Sequence, residues 1–280
     1  MTPERVARGP HAIALAAALA IVAAALVPGV CAAARVDRPA AIAPATLLFD
    51  DEFAGSRLDS TKWNTCYFWA TRGGCTNNPG LELEWYRPSQ VTVGGGLLSL
   101  TAIRTSTHRN LPYTSGMIST GDCCGRPLHF SFLYGYMEMS AMPPPGHGMW
   151  PAFWLIPASH AWPPEIDAME WQGQQPRTNY LTLHYVGANG EPAQSGGTYV
   201  GPNLSHGFHR FGCEWSADRI TWYEDGRAVR TYSDRRQIPS VPMYVIVNLA
   251  IGGWVSFPNG RTPFPATMQV KYVRVWDRKP

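Results

Sequence analysis

Short apolar runs separated by turn residues recur from Val91 to Trp276, and no segment beyond residues 12–27 keeps the apolar spacing of a helix. In residues 269–276 the polar residues Gln269, Lys271 and Arg274 are separated by one or two apolar or aromatic residues, which is close to the period of a half-exposed strand. The 11 Trp, 12 Tyr and 10 Phe, together with 27 Gly and 25 Pro, also favour short strands and turns. The pattern predicts an all-β fold, either an antiparallel sandwich or a jelly roll. The other predicted strands lie at 91–93, 97–103, 134–141, 149–156, 179–185, 207–215, 220–225 and 243–251.

The N-terminal residues have the order of a secretory signal peptide. Arg5 and Arg8 precede an apolar run over 12–27, which small residues follow. The alternative is a transmembrane anchor, but the run is short of the ~20 residues that a span needs. We therefore predict a signal peptide at 1–34, a short Ala/Pro-rich tether at 35–46 and one domain at 47–280. A secreted or periplasmic protein without stable membrane insertion after signal cleavage is expected.

Charge and composition exclude several classes of protein. Only 15% of the residues are charged, which argues against a disordered chain or a coiled coil. The formal net charge is +3, and Lys and Arg do not cluster. No nucleic-acid partner is expected, and we expect a monomer.

The cysteines suit an oxidising compartment. Six occur in the chain, and five remain beyond the predicted signal peptide. Cys66 and Cys75 flank a Gly-rich loop and are the most easily bridged pair, whereas Cys123 and Cys124 are adjacent. Cys213 lies in an apolar run, where a buried free thiol is expected. The spacing leaves the connectivity open.

Three carboxylates fall within six residues, at Glu165, Asp167 and Glu170. Glu165 and Asp167 share one face of a strand, because successive side chains alternate. Glu170 lies five positions after Glu165 and would point to the opposite face. A β-bulge at Ala168–Met169 would return Glu170 to the face of the other two acids.

Carboxylates arranged in this way can cleave a glycosidic bond with retention of configuration. One carboxylate attacks the anomeric carbon. A second carboxyl group, which is protonated and lies about 5 to 5.5 Å from the first, donates its proton to the leaving oxygen. Glu165 and Glu170 are the candidates, with Asp167 between them to hold the nucleophile and raise the pKa of the acid. An acidic strand edge is one alternative. A three-carboxylate metal site is another, disfavoured because no His or further Asp follows at ligand spacing.

Aromatic residues near this segment are candidate sugar contacts, because flat amphipathic rings bind the apolar faces of sugars. Trp150 and Trp154 are four apart and share a strand face, while Trp85 and Trp171 have polar neighbours. For each Trp the alternative is burial in the core. His184 is a candidate polar contact, with a buried structural histidine as its alternative.

Seven motifs in order from Phe49 to Trp276 resemble glycoside hydrolase family sixteen, which contains laminarinases, lichenases, agarases and carrageenases. They are the segments 49–53, 82–86, 134–138, 148–154, 165–170, 248–253 and 272–276. The resemblance implies a concanavalin-like β-jelly roll, two antiparallel sheets in a sandwich, with a sugar groove across the concave sheet.

The resemblance also implies roles for individual residues. Glu165 is similar to the family nucleophile, Asp167 to the assisting acid and Glu170 to the general acid/base. The spacing matches the bulged, laminarinase-like form of the motif. The implied substrate contacts are Trp150, Trp154 and His184, with Glu82, Trp85, Asn248 and Trp254 as further candidates.

One departure concerns metal binding. Many relatives hold a structural calcium partly through an acid in the C-terminal strand, where this chain has Lys271. A protonated lysine cannot ligate a hard cation. We therefore expect no calcium and no other cofactor.

These observations predict endo-hydrolysis of a β-linked polysaccharide, and β-1,3-glucan is the leading candidate substrate. Alternatives within the same chemistry are cleavage of a galactan or a bacterial exopolysaccharide, or transglycosylation. A non-catalytic carbohydrate-binding jelly roll is the alternative from another class, but it would have little need of both Glu165 and Glu170.

Overall fold

The computed structural model describes residues 43–72, 75–78, 80–105 and 111–280, so the predicted signal peptide lies outside the described residues. Short 3-10 helices lie at Phe68–Arg72, Pro88–Gln90 and Gly253–Val255. No helix in the described ranges is long and apolar enough to cross a bilayer. The strands are β1 Leu47–Asp51, β2 Glu84–Tyr86, β3 Val91–Gly94, β4 Leu97–Arg104, β5 Tyr113–Ser115, β6 Met117–Ser119, β7 Gly135–Met142, β8 Met149–Pro157, β9 Glu165–Trp171, β10 Thr178–Val186, β11 Pro192–Val200, β12 His209–Trp215, β13 Ile220–Glu224, β14 Arg227–Tyr232, β15 Met243–Ile251 and β16 Ala266–Trp276.

The strands form two sheets. The larger runs in the order β14-β13-β12-β7-β16-β4-β5-β2, with β1 beside β16 and β3 beside β4. The smaller runs in the order β11-β10-β9-β8-β15-β6. Neighbours pair antiparallel except β2 and β5, which are parallel. The predicted all-β jelly roll is confirmed.

The main core lies between the two sheets. Strand β16 alternates buried and partly exposed residues along most of its length, as its sequence pattern predicts. Strand β15 is buried at every position, because a second apolar cluster covers its other face. That cluster includes Tyr67, Trp154 and Tyr244. One end of the smaller sheet is therefore covered on both sides.

The loop before β2 supplies part of this second cluster and is closed by a disulfide between Cys66 and Cys75. These are the two cysteines that the sequence marks as most easily bridged. Cys213 is buried and free, as expected, whereas Cys124 is exposed.

The segment at residues 43–46 lies beside the last residues of the chain. Residues 43–46, the last of the predicted tether, are held at the C-terminus, where the Thr46 amide donates to Asp277 Oδ1 at 2.8 Å. The Lys271 ammonium lies 4.2 Å from the Phe208 ring centroid. An ammonium group offers no lone pair to a cation, so this position does not fit a calcium ligand.

Candidate active site

The three clustered acids lie on β9, and a register shift brings them to one face. Against β8, Trp154 is opposite Asp167 and Phe153 is opposite Met169, so Ala168 is an extra residue. Ala168 and Met169 are both buried in the core. The bulge predicted at this point is present, and Glu170 shares its face with Asp167 and Glu165 because β8 places Ala152 opposite Glu170.

These carboxyl groups line a cleft of about 660 Å³ that crosses strands β15, β8, β9, β10 and β11. Nine of the eleven predicted site residues line it. They are Glu82, Trp150, Trp154, Glu165, Asp167, Glu170, His184, Asn248 and Trp254. A long groove on one sheet face suits an extended polymer better than a small ligand.

Two predicted contacts lie elsewhere. Trp171 is fully buried in the core between the sheets, because it follows Glu170 and points to the other face of β9. Trp85 packs against the second apolar cluster and does not line the cleft. Burial of Trp171 in the core contradicts its prediction as a substrate contact, and Trp85 does not line this cleft.

Indole N–H groups hold the two outer acids. Trp150 Nε1 donates to Glu170 Oε1 at 3.0 Å, and Trp162 Nε1 donates to Glu165 Oε2 at 2.6 Å. Trp254 packs edge-on against Trp150, with 5.8 Å between the ring centroids. The Trp rings therefore fix carboxylate rotamers as well as forming the wall of the cleft.

Asn248 belongs to a second chain of hydrogen bonds. Its Oδ1 accepts from Trp154 Nε1 at 2.8 Å, and its Nδ2 donates to the Tyr86 hydroxyl at 2.9 Å. This fixes the Trp154 ring against the end of the cleft that the loop covers.

His184 lies directly across the strands from Glu165. Its Nε2 is 3.2 Å from Asp167 Oδ2 and 3.7 Å from Glu165 Oε1. No His follows the acids at ligand spacing in the sequence, but β10 supplies His184 from outside the motif. These three groups have donor atoms within 4.8 Å of one another and could hold a metal ion.

Burial dominates the electrostatics of the acids. It raises the pKa of Glu170 to about 7, with help from Glu165 and against the lowering effect of the Trp150 hydrogen bond. Burial also raises the pKa of Asp167, and the nearby Glu170 raises it further. The pKa of Glu165 is raised by burial and by Asp167, while His184 and the Trp162 hydrogen bond oppose the shift. Not all three can ionise together near neutral pH.

The bulge is held from behind by the other sheet. Trp222 Nε1 donates to the Asp167 carbonyl oxygen at 2.7 Å. The Arg230 guanidinium lies 4.4 Å from the Trp222 ring centroid and donates to the Leu181 and Ser195 carbonyl oxygens. Trp222 and Arg230 therefore tie β9, β10 and β11 to the larger sheet.

Several lining residues were not predicted. Tyr180 and Thr182 lie four and two positions before His184 on β10, so the alternation of that strand could have identified them. Ala152 on β8 and Ala250 on β15 lie two positions from predicted residues of the same strands. The others come from loops or from β11, and their sequence carries no comparable signal. They include Tyr67, Asn77, Gln194, Gly196, Gly197 and Thr198.

A family model described as "Glycosyl hydrolases family 16" matches residues 82–274. The chain belongs to this family. The endo-1,3-1,4-beta-glycanase EglC of Rhizobium meliloti is 35% identical over 252 residues, covering 82% of this chain and 51% of that protein. The beta-glucanase of Rhodothermus marinus is 33% identical, covering 82% of this chain and 84% of that protein.

A solved structure gives the same picture. The catalytic domain of the Thermotoga petrophila endo-1,3-beta-glucanase is 31% identical and has a TM-score of 0.73, covering 85% of this chain and all of that domain. Several curated relatives are longer: this chain spans 51% of EglC and 38% of the Niallia circulans glucan endo-1,3-beta-glucosidase A1.

Proposed function

We propose that this chain is a retaining endo-glycosidase that hydrolyses a β-linked glucan, and that β-1,3-glucan is its main substrate. The observation that carries the proposal is the bulge that gathers three carboxyls on one face of an open cleft. Support for the substrate comes from relatives and structural neighbours named as endo-1,3-1,4-beta-glycanase, glucan endo-1,3-beta-glucosidase and laminarinase.

Glu165 acts as the nucleophile. It accepts an indole N–H from Trp162, and its side chain is 17% exposed, whereas Asp167 is only 2% exposed. The indole hydrogen bond and the greater exposure both favour the ionised form of Glu165. Protonation of Asp167 would remove the repulsion that opposes this charge.

Glu170 acts as the general acid and then as the general base. A pKa of about 7 leaves it about half protonated in neutral solution and largely protonated in mildly acidic solution, ready to donate to the leaving oxygen. When Glu165 becomes esterified by the sugar its charge is lost, so the pKa of Glu170 falls and it can deprotonate a water.

A β-1,3-1,4-linked glucan or a bacterial exopolysaccharide is the second candidate substrate. Two Rhizobium meliloti relatives, EglC and ExsH, are named as endo-1,3-1,4-beta-glycanases. The cleft has a glycine at Gly196 on its β11 side, where an added Cβ would meet only Thr182 Oγ1 at 4.0 Å, and this leaves space beside the sugar chain.

Product release from a substrate panel tests the proposal. Laminarin, mixed-linkage glucan, agarose, carrageenan and arabinogalactan are incubated with the wild type and with Glu165→Gln and Glu170→Gln. Laminarin cleaved to a range of oligosaccharides by the wild type alone supports the proposal. Cleavage of none, or full activity in both variants, contradicts it.

We further propose that the protein is secreted or periplasmic and acts as a monomer. The apolar segment at 12–27 and the disulfide between Cys66 and Cys75 support export. Recovery of the chain from the culture medium or periplasm, beginning near residue 35, tests this proposal. A full-length chain confined to the cytoplasm contradicts it.

A further inference from the structure

Four cysteine sulfurs lie together beneath the loop that covers one end of the cleft. Cys66 and Cys75 are bridged, whereas Cys123 and Cys124 are free. The Sγ atoms of Cys66, Cys123 and Cys124 all lie within 4.8 Å of one another. Free thiols beside a disulfide can exchange with it without any external oxidant or reductant.

The free thiols sit on a tight turn. The amide of Cys123 donates to the Arg126 carbonyl oxygen at 3.2 Å, and the Arg126 amide donates back at 2.7 Å. Between them, Cys124 has φ 55° and Gly125 has φ 80°. The left-handed region is uncommon for a residue with a β-carbon, and such conformations concentrate at functional positions. Cys124 is exposed at this turn.

The bridged loop lines the substrate cleft. Tyr67 contributes to the main cleft, while Phe68 and Trp69 line an adjoining cavity of about 450 Å³. The two cavities share Asn77, Trp154 and Glu165. The position of the loop therefore determines the shape of the cleft next to Glu165.

A second contact joins the loop to the cysteine turn. The Phe68 ring stacks on His160, with 3.9 Å between the ring centroids. His160 Nε2 lies 2.7 Å from Asp122 Oδ1, and Asp122 directly precedes Cys123. The Phe68–His160–Asp122 contacts therefore already connect the loop to the cysteine turn, so a change in the partner of Cys66 would alter them.

We propose that these sulfurs form a thiol–disulfide exchange site, at which Cys124 attacks Cys66 and converts the chain to a second covalent form. The Cys124 thiol loses its proton to solvent, and its thiolate forms a bond to Cys66 Sγ. The Cys66–Cys75 bond breaks, and its electron pair leaves on Cys75 Sγ, which takes a proton from solvent. The number of disulfides and the oxidation state of the chain do not change.

The surroundings favour Cys124 as the attacking group. Burial raises the pKa of the Cys123 thiol, and only a thiolate attacks a disulfide. Cys124 is exposed to solvent. The Thr65 carbonyl oxygen lies 3.6 Å from Cys75 Sγ, so the released thiol has a hydrogen-bond acceptor in place.

Exchange releases the segment that follows Cys75. Asn77 touches both cavities, and its amide donates to Glu82 Oε2 at 3.3 Å. In the second form this segment is no longer tied to Cys66, so sugar binding next to Glu165 weakens. This consequence rests on the proposed function, whereas the covalent exchange does not.

Peptide mapping tests the exchange directly. The wild type is incubated at a pH of about 8.5, where cysteines ionise, then quenched in acid with N-ethylmaleimide and digested without reductant. We expect a cross-linked peptide joining Cys66 to Cys124 and a labelled Cys75. Cys124→Ser should keep only the Cys66–Cys75 bridge, and Cys213→Ala, the matched control, should behave as the wild type. If Cys75 carries no label while Cys124 is labelled, or if Cys66 is bridged to Cys123, the proposal is overturned.

Cys75→Ser tests the consequence, because it leaves Cys124 as the partner for Cys66. The variant is oxidised with glutathione disulfide, which takes up the two electrons released as the thiols of Cys66 and Cys124 join. We then expect the Cys66–Cys124 bridge, a roughly tenfold higher KM for laminarin and a kcat within about twofold of the wild type. An unchanged KM in a variant that carries this bridge contradicts the link to the cleft. If the variant does not fold, the wild-type map still decides the exchange, and it does so even if no polysaccharide is cleaved.

Discussion

Two pairs of acids in this molecule have the same spacing and different surroundings. Glu165 and Asp167 are two positions apart on β9, and Glu82 and Glu84 are two positions apart at the start of β2. Both pairs are largely withdrawn from solvent, and burial raises the pKa of all four carboxyls. Neither the spacing nor the burial separates a catalytic pair from a structural one.

The hydrogen-bond donors separate them. Glu165 accepts a side-chain N–H from Trp162 inside the cleft. Glu84 accepts the Ile251 amide at 2.7 Å, and Glu82 accepts the Asn77 amide. Main-chain donors fix the second pair as part of the scaffold, although Glu82 reaches the cleft wall. The bulge then adds Glu170 to the first pair, and among the residues that the structure describes no third acid joins the second.

Removing a charge from the β9 acids should give the largest effect. Glu170→Gln keeps the shape but cannot donate a proton, so we expect kcat to fall by about 10²- to 10⁴-fold, and Glu165→Gln by at least as much. Steady-state kinetics on laminarin measures this. Glu84→Gln is the matched control and should keep activity within about threefold. A comparable loss of kcat in Glu84→Gln would mean that the Glu82–Glu84 pair is as important for catalysis as the β9 acids, which contradicts the comparison.

Truncating Glu84 should instead lower stability. Glu84→Ala leaves a cavity and a buried Ile251 amide without its acceptor, so the free energy of unfolding should fall by about 2–4 kcal/mol. Urea denaturation measures the change, and kcat of the folded enzyme should be nearly unaltered. If kcat fell as in Glu170→Gln while stability was unchanged, the scaffold role of Glu84 would be wrong.

Trp150→Phe keeps the ring and removes the donor to Glu170. Losing one hydrogen bond to a charged group costs about 1.5 kcal/mol, or roughly tenfold in rate. That bond lowers the pKa of Glu170, so the basic limb of kcat/KM, near pH 7 in the wild type, should move upward by up to about one unit. A downward shift would contradict the hydrogen bond as the cause.

The smallest effect concerns the pH dependence of stability. Glu84 has a folded-state pKa well above the usual 4.5, because of burial and Glu82. Above about pH 4.5 the Glu84 carboxyl ionises in the unfolded chain but stays neutral in the folded chain, so the free energy of unfolding falls as pH rises. Glu84→Gln cannot ionise, and its stability advantage should grow by up to about 1.4 kcal/mol per pH unit above about pH 5. A constant difference would mean that Glu84 is ionised in the fold.

Much of the architecture could be predicted because periodicity is local. The strand at 269–276 and the bulge in β9 follow from counting residues. Strand β11 was missed, since Pro192, Gly196 and Gly197 lower its β propensity and it is formed through pairing with β10. Strands β2, β5 and β6 are too short for any period to show.

The site was predictable only where its residues share a strand. The β9 acids and Trp150 and Trp154 on β8 could be placed by alternation, and the two Trp positions line the cleft as predicted. Trp171 was misplaced because the same bulge that returns Glu170 to the cleft turns its neighbour into the core. His184 beside Asp167 and Trp162 beside Glu165 depend on strand order and loop path, which a sequence pattern does not specify.

The central claim is that Glu165 attacks the sugar while Glu170 protonates the leaving group. Proton NMR of the anomeric signals during the first turnovers on laminarin tests it most directly. The account predicts that the first new reducing end appears in the β configuration and only later equilibrates with the α form. First appearance of the α form would mean a single displacement by water, and Glu165 could not be the nucleophile.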